Sequence, residues 1–213
     1  MTEIIKRILT SGVLLSIFYA AILNKVILTI ALVFCLYQLL YEFSNLVKKI
    51  FKQNYKILIL LTLILTYLTY IIIKTWIVLS VDANNNKIIF FILISICIAS
   101  DIGGITFGKI FKGKKLTKIS PNKTYSGLIG SYVLSLLTTT IFFKEYFELF
   151  DLIISTLVIS TFSQLGDLTI SYLKRKVKIK DTSNILPGHG GFLDRFDGFL
   201  LAMPIGYLVY SIL

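Results

Sequence analysis

Long apolar runs separated by short polar breaks set the pattern of this chain. A bilayer core takes about 20 apolar residues as a helix, with a range of roughly 17–25. The run from Ile8 to Tyr41 is too long for one span and is interrupted at Asn24-Lys25, which predicts two short helices joined by a tight turn. Further runs predict helices at Ile57–Ser80, Ile88 to about Phe107, Thr124–Phe143, Leu152 to about Leu173 and Gly198–Leu213. Lys74 is expected to snorkel, with Trp76 in the interfacial belt. The pattern therefore predicts an all-α fold, a polytopic membrane bundle of about seven helices. Residues 1–100 read as plain N-terminal membrane helices. Residues 101–213 read as the part of the same membrane domain that carries two elaborated polar loops. Lys6 and Arg7 ahead of an apolar stretch ending near Ala20-Ala21 also fit a cleavable signal peptide, a reading disfavoured because no soluble domain follows.

Composition agrees with the pattern. Of 213 residues, 56% are apolar and 15% charged, against roughly 45–50% and about 25% in soluble domains. That balance excludes both a water-soluble globule and a disordered chain. Cys35 and Cys97 lie inside apolar runs with no CxxC spacing, so they read as packing residues and not as a metal knuckle.

A net charge of +11 would suggest nucleic acid for a soluble protein, but in a membrane protein charge is read by position. With the N-terminus inside, 18 Lys and Arg fall on the inner side: Lys6 and Arg7, four from Lys48 to Lys56, six from Lys109 to Lys123, and six from Lys174 to Arg195. Only Lys25, Lys74, Lys87 and Lys144 fall outside. This asymmetry predicts a cytoplasmic N-terminus and a basic cytoplasmic face, with no nucleic-acid partner. Attraction to anionic headgroups accounts for Lys48–Lys56 without any chemistry. The other two clusters carry more than charge.

Of 13 glycines, only Gly12 precedes Gly103. The first glycine-rich loop reads Asp101-Ile-Gly-Gly-Ile-Thr-Phe-Gly-Lys109, then Lys112-Gly-Lys-Lys115, then Ser120-Pro-Asn-Lys-Thr-Tyr-Ser-Gly127. Backbone amides, the hydroxyls of Ser120 and Thr124, and the Lys123 ammonium suit phosphate oxygens. Thr124 also opens a helix, whose N-terminus favours anions. The spacing is not that of a P-loop, and a merely solvated basic loop is the alternative.

The second site begins within a helix. Gln164, Asp167, Ser171 and Lys174 fall at i, i+3, i+7 and i+10 and so share one face. A carboxylate within a span costs at least about 2.5–3.5 kcal/mol at the bilayer centre. Either an ion pair with Lys174 or Arg175 or a divalent cation would offset that cost. Downstream, Asp181, Asp194 and Asp197 share a segment with the turn Gly188-His-Gly-Gly191. Carboxylates together with substrate phosphates are the usual holders of Mg²⁺. His189 is the only histidine, so no zinc cluster competes, and a structural, hydrogen-bonded role for it is the simpler one. Gly190 and Gly191 let the backbone pass close to a ligand.

The segment Ser171-Tyr-Leu-Lys-Arg, Lys180-Asp181-x-Ser183, Leu186-Pro187-x-His189-Gly-Gly-Phe-x-Asp194-Arg-Phe-Asp197 closely resembles the signature of the phosphatidate cytidylyltransferases. The resemblance extends through Gly166-Asp167 and the loop Asp101–Gly127, about half of the chain. Gly104-Ile105 and Ser126 depart from the family, which usually has Ala-Tyr and Glu there. The chain is also shorter than is usual, which suggests one or two fewer helices near the N-terminus.

The resemblance implies transfer of a cytidylyl group from CTP to phosphatidic acid, giving CDP-diacylglycerol and pyrophosphate. By analogy, Asp167 and Asp194 would ligate Mg²⁺, with a second cation possible. Lys174, Arg175 and Lys180 would meet CTP phosphates. Ser120, Lys123 and Thr124 would hold a triphosphate or the lipid phosphate. Ser171, Asp181, His189, Gly190, Gly191, Arg195 and Asp197 complete the expected binding set, with Arg195 either gripping phosphate or pairing with Asp197. The resemblance further suggests a homodimer in the cell (inner) membrane with its site on the cytoplasmic face. A CTP-dependent lipid or polyprenol kinase and a small-anion transporter are the competing readings. No inverted repeat favours the transporter.

Overall fold

The computed structural model describes residues 3–51, 56–80, 84–117, 120 and 123–213. Lys52 and Lys118 of the inner basic set and the Pro121-Asn122 step of the Ser-Pro-x-Lys-Thr element lie outside them. The described chain forms seven helices: α1 (Glu3–Leu23), α2 (Lys25–Phe51), α3 (Lys56–Ser80), α4 (Asn84–Phe111), α5 (Tyr125–Phe143), α6 (Leu149–Lys176) and α7 (Leu193–Ile212). Among the described residues, α1 to α6 are long and apolar enough to cross a membrane. In α7 the first turns carry Asp194, Arg195 and Asp197, so its uncharged part, Gly198–Ile212, falls short of the roughly 17 residues a span takes. The protein is a multi-pass membrane helix bundle.

The break at Asn24 is a single residue. Its side-chain Oδ1 accepts from the Val26 amide at 2.8 Å, capping α2, while its own amide still closes α1 on the Ala20 carbonyl at 3.0 Å. Several helices run further than their apolar runs predicted, three of them into polar sequence that bears on the site. Helix α2 continues to Phe51. Helix α4 continues through Asp101–Phe111, so the first part of the expected glycine-rich loop is helical. Helix α7 begins at Leu193, which puts Asp194, Arg195 and Asp197 on a helix and not in the preceding loop.

The chain divides into two compact units. One comprises Met1–Asp82 with Leu173–Phe196. In it α2 packs against both α1 and α3, and Leu28, Leu39, Leu46, Val47, Leu68, Leu186, Phe192 and Leu193 are buried. The ring of Phe192 meets Phe34 of α2 edge-on, with centroids 5.6 Å apart. The Trp76 indole donates to Thr29 of α2 at 3.0 Å.

The other unit comprises Ala83–Tyr172 with Asp197–Leu213. Its tightest packing is α4 against α5, where a Cβ on Gly103 would collide with the Gly130 carbonyl. The α4 glycines thus serve backbone-to-backbone approach between helices, as small residues commonly do in membranes. Buried hydroxyls cross-link α4 and α5 and tie α6 to both: Ser131 donates to the Ser100 carbonyl at 2.7 Å, Ser160 to Ser100 Oγ at 3.2 Å, and Thr156 to Thr139 at 3.0 Å. Each satisfies a polar atom that lipid could not.

Candidate active site

In the unit built on α4 and α5, the polar loop between these helices is shorter than the sequence suggested and tightly pinned. Lys115 and Thr124 face each other in an antiparallel bridge, with the Leu116 amide on the Lys123 carbonyl at 2.8 Å and the Tyr125 amide on Lys114 at 3.0 Å. Thr124 caps α5 as expected, accepting from the Gly127 amide at 3.1 Å. Ser126, at a position where the family usually has Glu, accepts from the Gly113 amide at 3.2 Å and lies 3.0 Å from the Thr124 hydroxyl. The backbone of Ser120 receives the Lys123 amide.

This bracing holds Lys123 with its ammonium on Asp167 Oδ2. Ser171, one turn further along α6, donates to the other oxygen at 3.3 Å. Asp167 therefore does have an ion-pair partner, and it is Lys123, where local spacing pointed to Lys174 or Arg175. Both side chains remain about a quarter exposed, at 25% and 29%, so the pair is open to a ligand.

In the unit that contains α1 to α3, Lys174 instead binds Asp194. Its Nζ lies 2.7 Å from Oδ1, with the two side chains only 11% and 6% exposed. Oδ2 accepts from the Thr182 amide at 2.8 Å and the Gly191 amide at 3.0 Å, with the Thr182 hydroxyl oxygen 3.0 Å away. Burial by itself pushes the Asp194 carboxyl up. The Lys174 hydrogen bond, the two amides and the ammonium charge outweigh it and hold the group below the ordinary carboxylate range.

Several expected phosphate ligands are occupied by the backbone. Arg175 Nη1 donates to the Ile179 carbonyl at 3.2 Å, pinning the turn after α6. Arg195 places Nε and Nη2 on the His189 carbonyl at 3.0 and 2.6 Å, so its fork holds the Leu186–Gly190 turn. Asp197 Oδ1 accepts from the Gly198 amide at 2.9 Å. His189 is structural in its contacts: Nε2 lies 3.4 Å from Ser11 Oγ, and Nδ1 is buried without a partner. Lys180 and Asp181 are exposed. Gly190 has φ +84°, a backbone state that favours glycine.

Sequence reasoning missed the residue on which this loop is built. Glu42 of α2 is 1% exposed, and its carboxylate accepts from Thr182 Oγ1 and Ser183 Oγ, both at 2.6 Å, and from the Phe192 and Leu193 amides at 3.0 and 2.8 Å. Helix α1 contributes as well. Arg7 Nε donates to the Gly188 carbonyl and Thr10 to the Pro187 carbonyl, both at 3.0 Å. The N-terminal helices are therefore not plain lipid-facing spans, because they carry the polar scaffold of the loop. The available signal was a carboxylate inside an apolar run, which demands partners.

Among the described residues, no three His, Cys, Asp or Glu side chains gather as a ready metal cage. Mg²⁺ needs fewer protein ligands. Asp167 fits such an ion: it offers hard oxygens, is partly exposed and already holds a cationic group. At Asp194 only Oδ1, now under Lys174, is open to an incoming cation, since Oδ2 takes two backbone amides.

A family model described as "Cytidylyltransferase family" matches residues 7–213. The chain belongs to the cytidylyltransferase family. It is similar to the phosphatidate cytidylyltransferase of Bacillus subtilis, 45% identical over 118 residues that make up 54% of this chain and 44% of that protein. The protein of the same name from Rickettsia bellii is 43% identical over 150 residues, 64% of this chain and 63% of the relative. That of Staphylococcus saprophyticus is 44% identical over 110 residues, 50% and 42%. The matched stretches thus span less than two thirds of these relatives' length.

Proposed function

We propose that the protein is a phosphatidate cytidylyltransferase of the bacterial inner membrane, converting CTP and phosphatidic acid to CDP-diacylglycerol and pyrophosphate with Mg²⁺. The observation that carries this reading is a pair of lysine–carboxylate units, Lys123–Asp167 and Lys174–Asp194, each braced by hydroxyls or backbone amides in a family member. A lysine poised on a carboxylate keeps its ammonium fixed, and it would be free to meet phosphate were a cation to take the carboxylate. Membership in a cytidylyltransferase family favours cytidylyl transfer over the kinase and transport readings.

In the reaction a phosphate oxygen of phosphatidic acid attacks the α-phosphorus of CTP. The bond from that phosphorus to the bridging oxygen of the β-phosphate breaks, and pyrophosphate leaves. A phosphate monoester is already ionised at neutral pH, so no general base is required. The protein's task is to suppress repulsion between two polyanions and to stabilise charge on the leaving group. Lys123 and Lys174 supply fixed positive charge, Lys180 supplies exposed charge, and Ser120, Thr124 and Ser171 supply hydroxyl donors. Asp167 and Asp194 are the carboxylates that would hold Mg²⁺, with room in the assignment for a second cation, and the bound ion would supply Lewis-acid polarisation of the α-phosphate and neutralise charge on pyrophosphate. The lipid tails stay in the bilayer, so the site belongs at the cytoplasmic headgroup layer. A homodimer is part of this reading.

The test is an assay of the purified protein in detergent with α-labelled CTP and phosphatidate, with and without Mg²⁺. Label in the lipid phase supports cytidylyl transfer. Label remaining in CDP, with the lipid gaining an unlabelled phosphate, would mean a kinase.

A further inference from the structure

We infer that Glu42 is a positioning residue for the reaction centre: through Thr182 and the first amides of α7 it sets the orientation in which Asp194 is presented. This rests on the cytidylyl-transfer reading for its kinetic consequence, though not for its geometry. Each Glu42 oxygen takes one hydroxyl and one backbone amide. Oε2 receives Thr182 Oγ1 and the Leu193 amide, and Oε1 receives Ser183 Oγ and the Phe192 amide. Two of these donors belong to the start of the 182–191 loop and two to its end, so a single side chain clamps both ends of the loop. The Phe192 and Leu193 amides open α7, whose free N–H groups need acceptors, and the next residue is Asp194.

The connection to Asp194 is direct. The Thr182 hydroxyl lies 2.6 Å from Glu42 Oε2 and 3.0 Å from Asp194 Oδ2, and the Thr182 amide also binds Oδ2. The hydroxyl has one hydrogen, so it serves one carboxylate at a time, and the shorter contact is to Glu42. Space is closed on the same side, because a Cβ on Gly191 would overlap Thr182 Oγ1 and crowd both Glu42 oxygens. The loop cannot shift toward α2 and is held from moving away. Such a clamp orients a reacting group without touching substrate, and misplacement of about 1 Å costs on the order of a hundredfold in rate.

Glu42→Gln keeps the shape but turns one acceptor into a donor, leaving either the Phe192 or the Leu193 amide facing an N–H. Thr182→Val keeps Glu42 on both amides while cutting the hydroxyl link, and Thr182→Ser restores it. The full-length protein in detergent is assayed for kcat and for the KM of CTP, and amide hydrogen exchange is read on peptides covering 181–195 without substrate. The expected result is a kcat at least about tenfold lower in Glu42→Gln and Thr182→Val with KM within about twofold. Thr182→Ser is expected near the parent rate, and exchange is expected to be faster at Phe192 and Leu193 in Glu42→Gln. Parent-like kcat in Glu42→Gln and Thr182→Val overturns the proposal, as does a change confined to KM. Should Glu42→Gln fail to fold, the Thr182 pair decides alone. Faster exchange in Glu42→Gln while the parent shows no cytidylyl transfer sustains the clamp and refutes the reaction assignment.

Discussion

Replacing Lys174 with methionine keeps a flexible apolar stem and deletes the ammonium on Asp194. The two side chains are 11% and 6% exposed, so the carboxylate left behind stays largely out of water. Removing one partner of a buried pair costs about 3–5 kcal/mol. Asp194 retains two backbone amides on Oδ2, which places the expected loss at the lower end, about 3 kcal/mol. For a chain of 213 residues this corresponds to a fall in the unfolding midpoint of roughly 6–12 °C. Thermal unfolding in detergent, followed by the fluorescence of Trp76, reads the unit that holds the pair. The double variant Lys174→Met, Asp194→Asn removes the unpaired charge and should recover part of the loss, a non-additivity expected of contacting residues. A single variant that melts with the parent would refute the claim that this buried pair stabilises the fold. A double variant showing the full sum of the two single losses would refute it equally.

Asp167→Asn is expected to abolish turnover while leaving membrane insertion and the melting profile near those of the parent, since its pair with Lys123 is about a quarter exposed and contributes little stability; normal turnover would remove Asp167 from the cation assignment. Lys123→Ala should raise KM for CTP or for phosphatidate, and unchanged values for both would return the 112–123 loop to a solvated surface. The Asp194 carboxyl sits below its ordinary value in the folded protein, so its contribution to stability is present above the unfolded value of about 3.9 and is lost as pH falls through the lower folded value. Removing the ammonium lets burial raise the folded value toward the unfolded one, so the loss of stability on acidification should be shallower in Lys174→Met, and equal acid slopes in variant and parent would count against the electrostatic account.

Features encoded within a few residues were legible. Asn24 and Thr124 each announce a helix start because the capping oxygen reaches an amide two or three positions on. The apolar runs located all seven helices, since a span must be long and apolar to satisfy lipid. Helix ends were less legible where charged or glycine-rich sequence continues a helix. Asp101–Phe111 looks like a loop until α5 supplies Gly127 and Gly130 for its glycines to pack against. The site's residue types were visible, but their pairings were not. Lys123 with Asp167, Lys174 with Asp194 and Glu42 with Thr182 lie 44, 20 and 140 positions apart, and spacing along one helix cannot reveal a partner supplied by another segment.

Helix α1 touches the Pro187–His189 turn through Arg7, Thr10 and Ser11, while Ile8, Val13, Leu15 and Tyr19 point outward. It works as a strap whose other side is annular lipid. Purification handles joined ahead of this helix, or detergents that strip its acyl contacts, therefore pull on the turn next to Gly190 and Gly191. Handles placed after Leu213 avoid that lever, and rates from the two kinds of preparation should be compared before any difference is ascribed to a substitution.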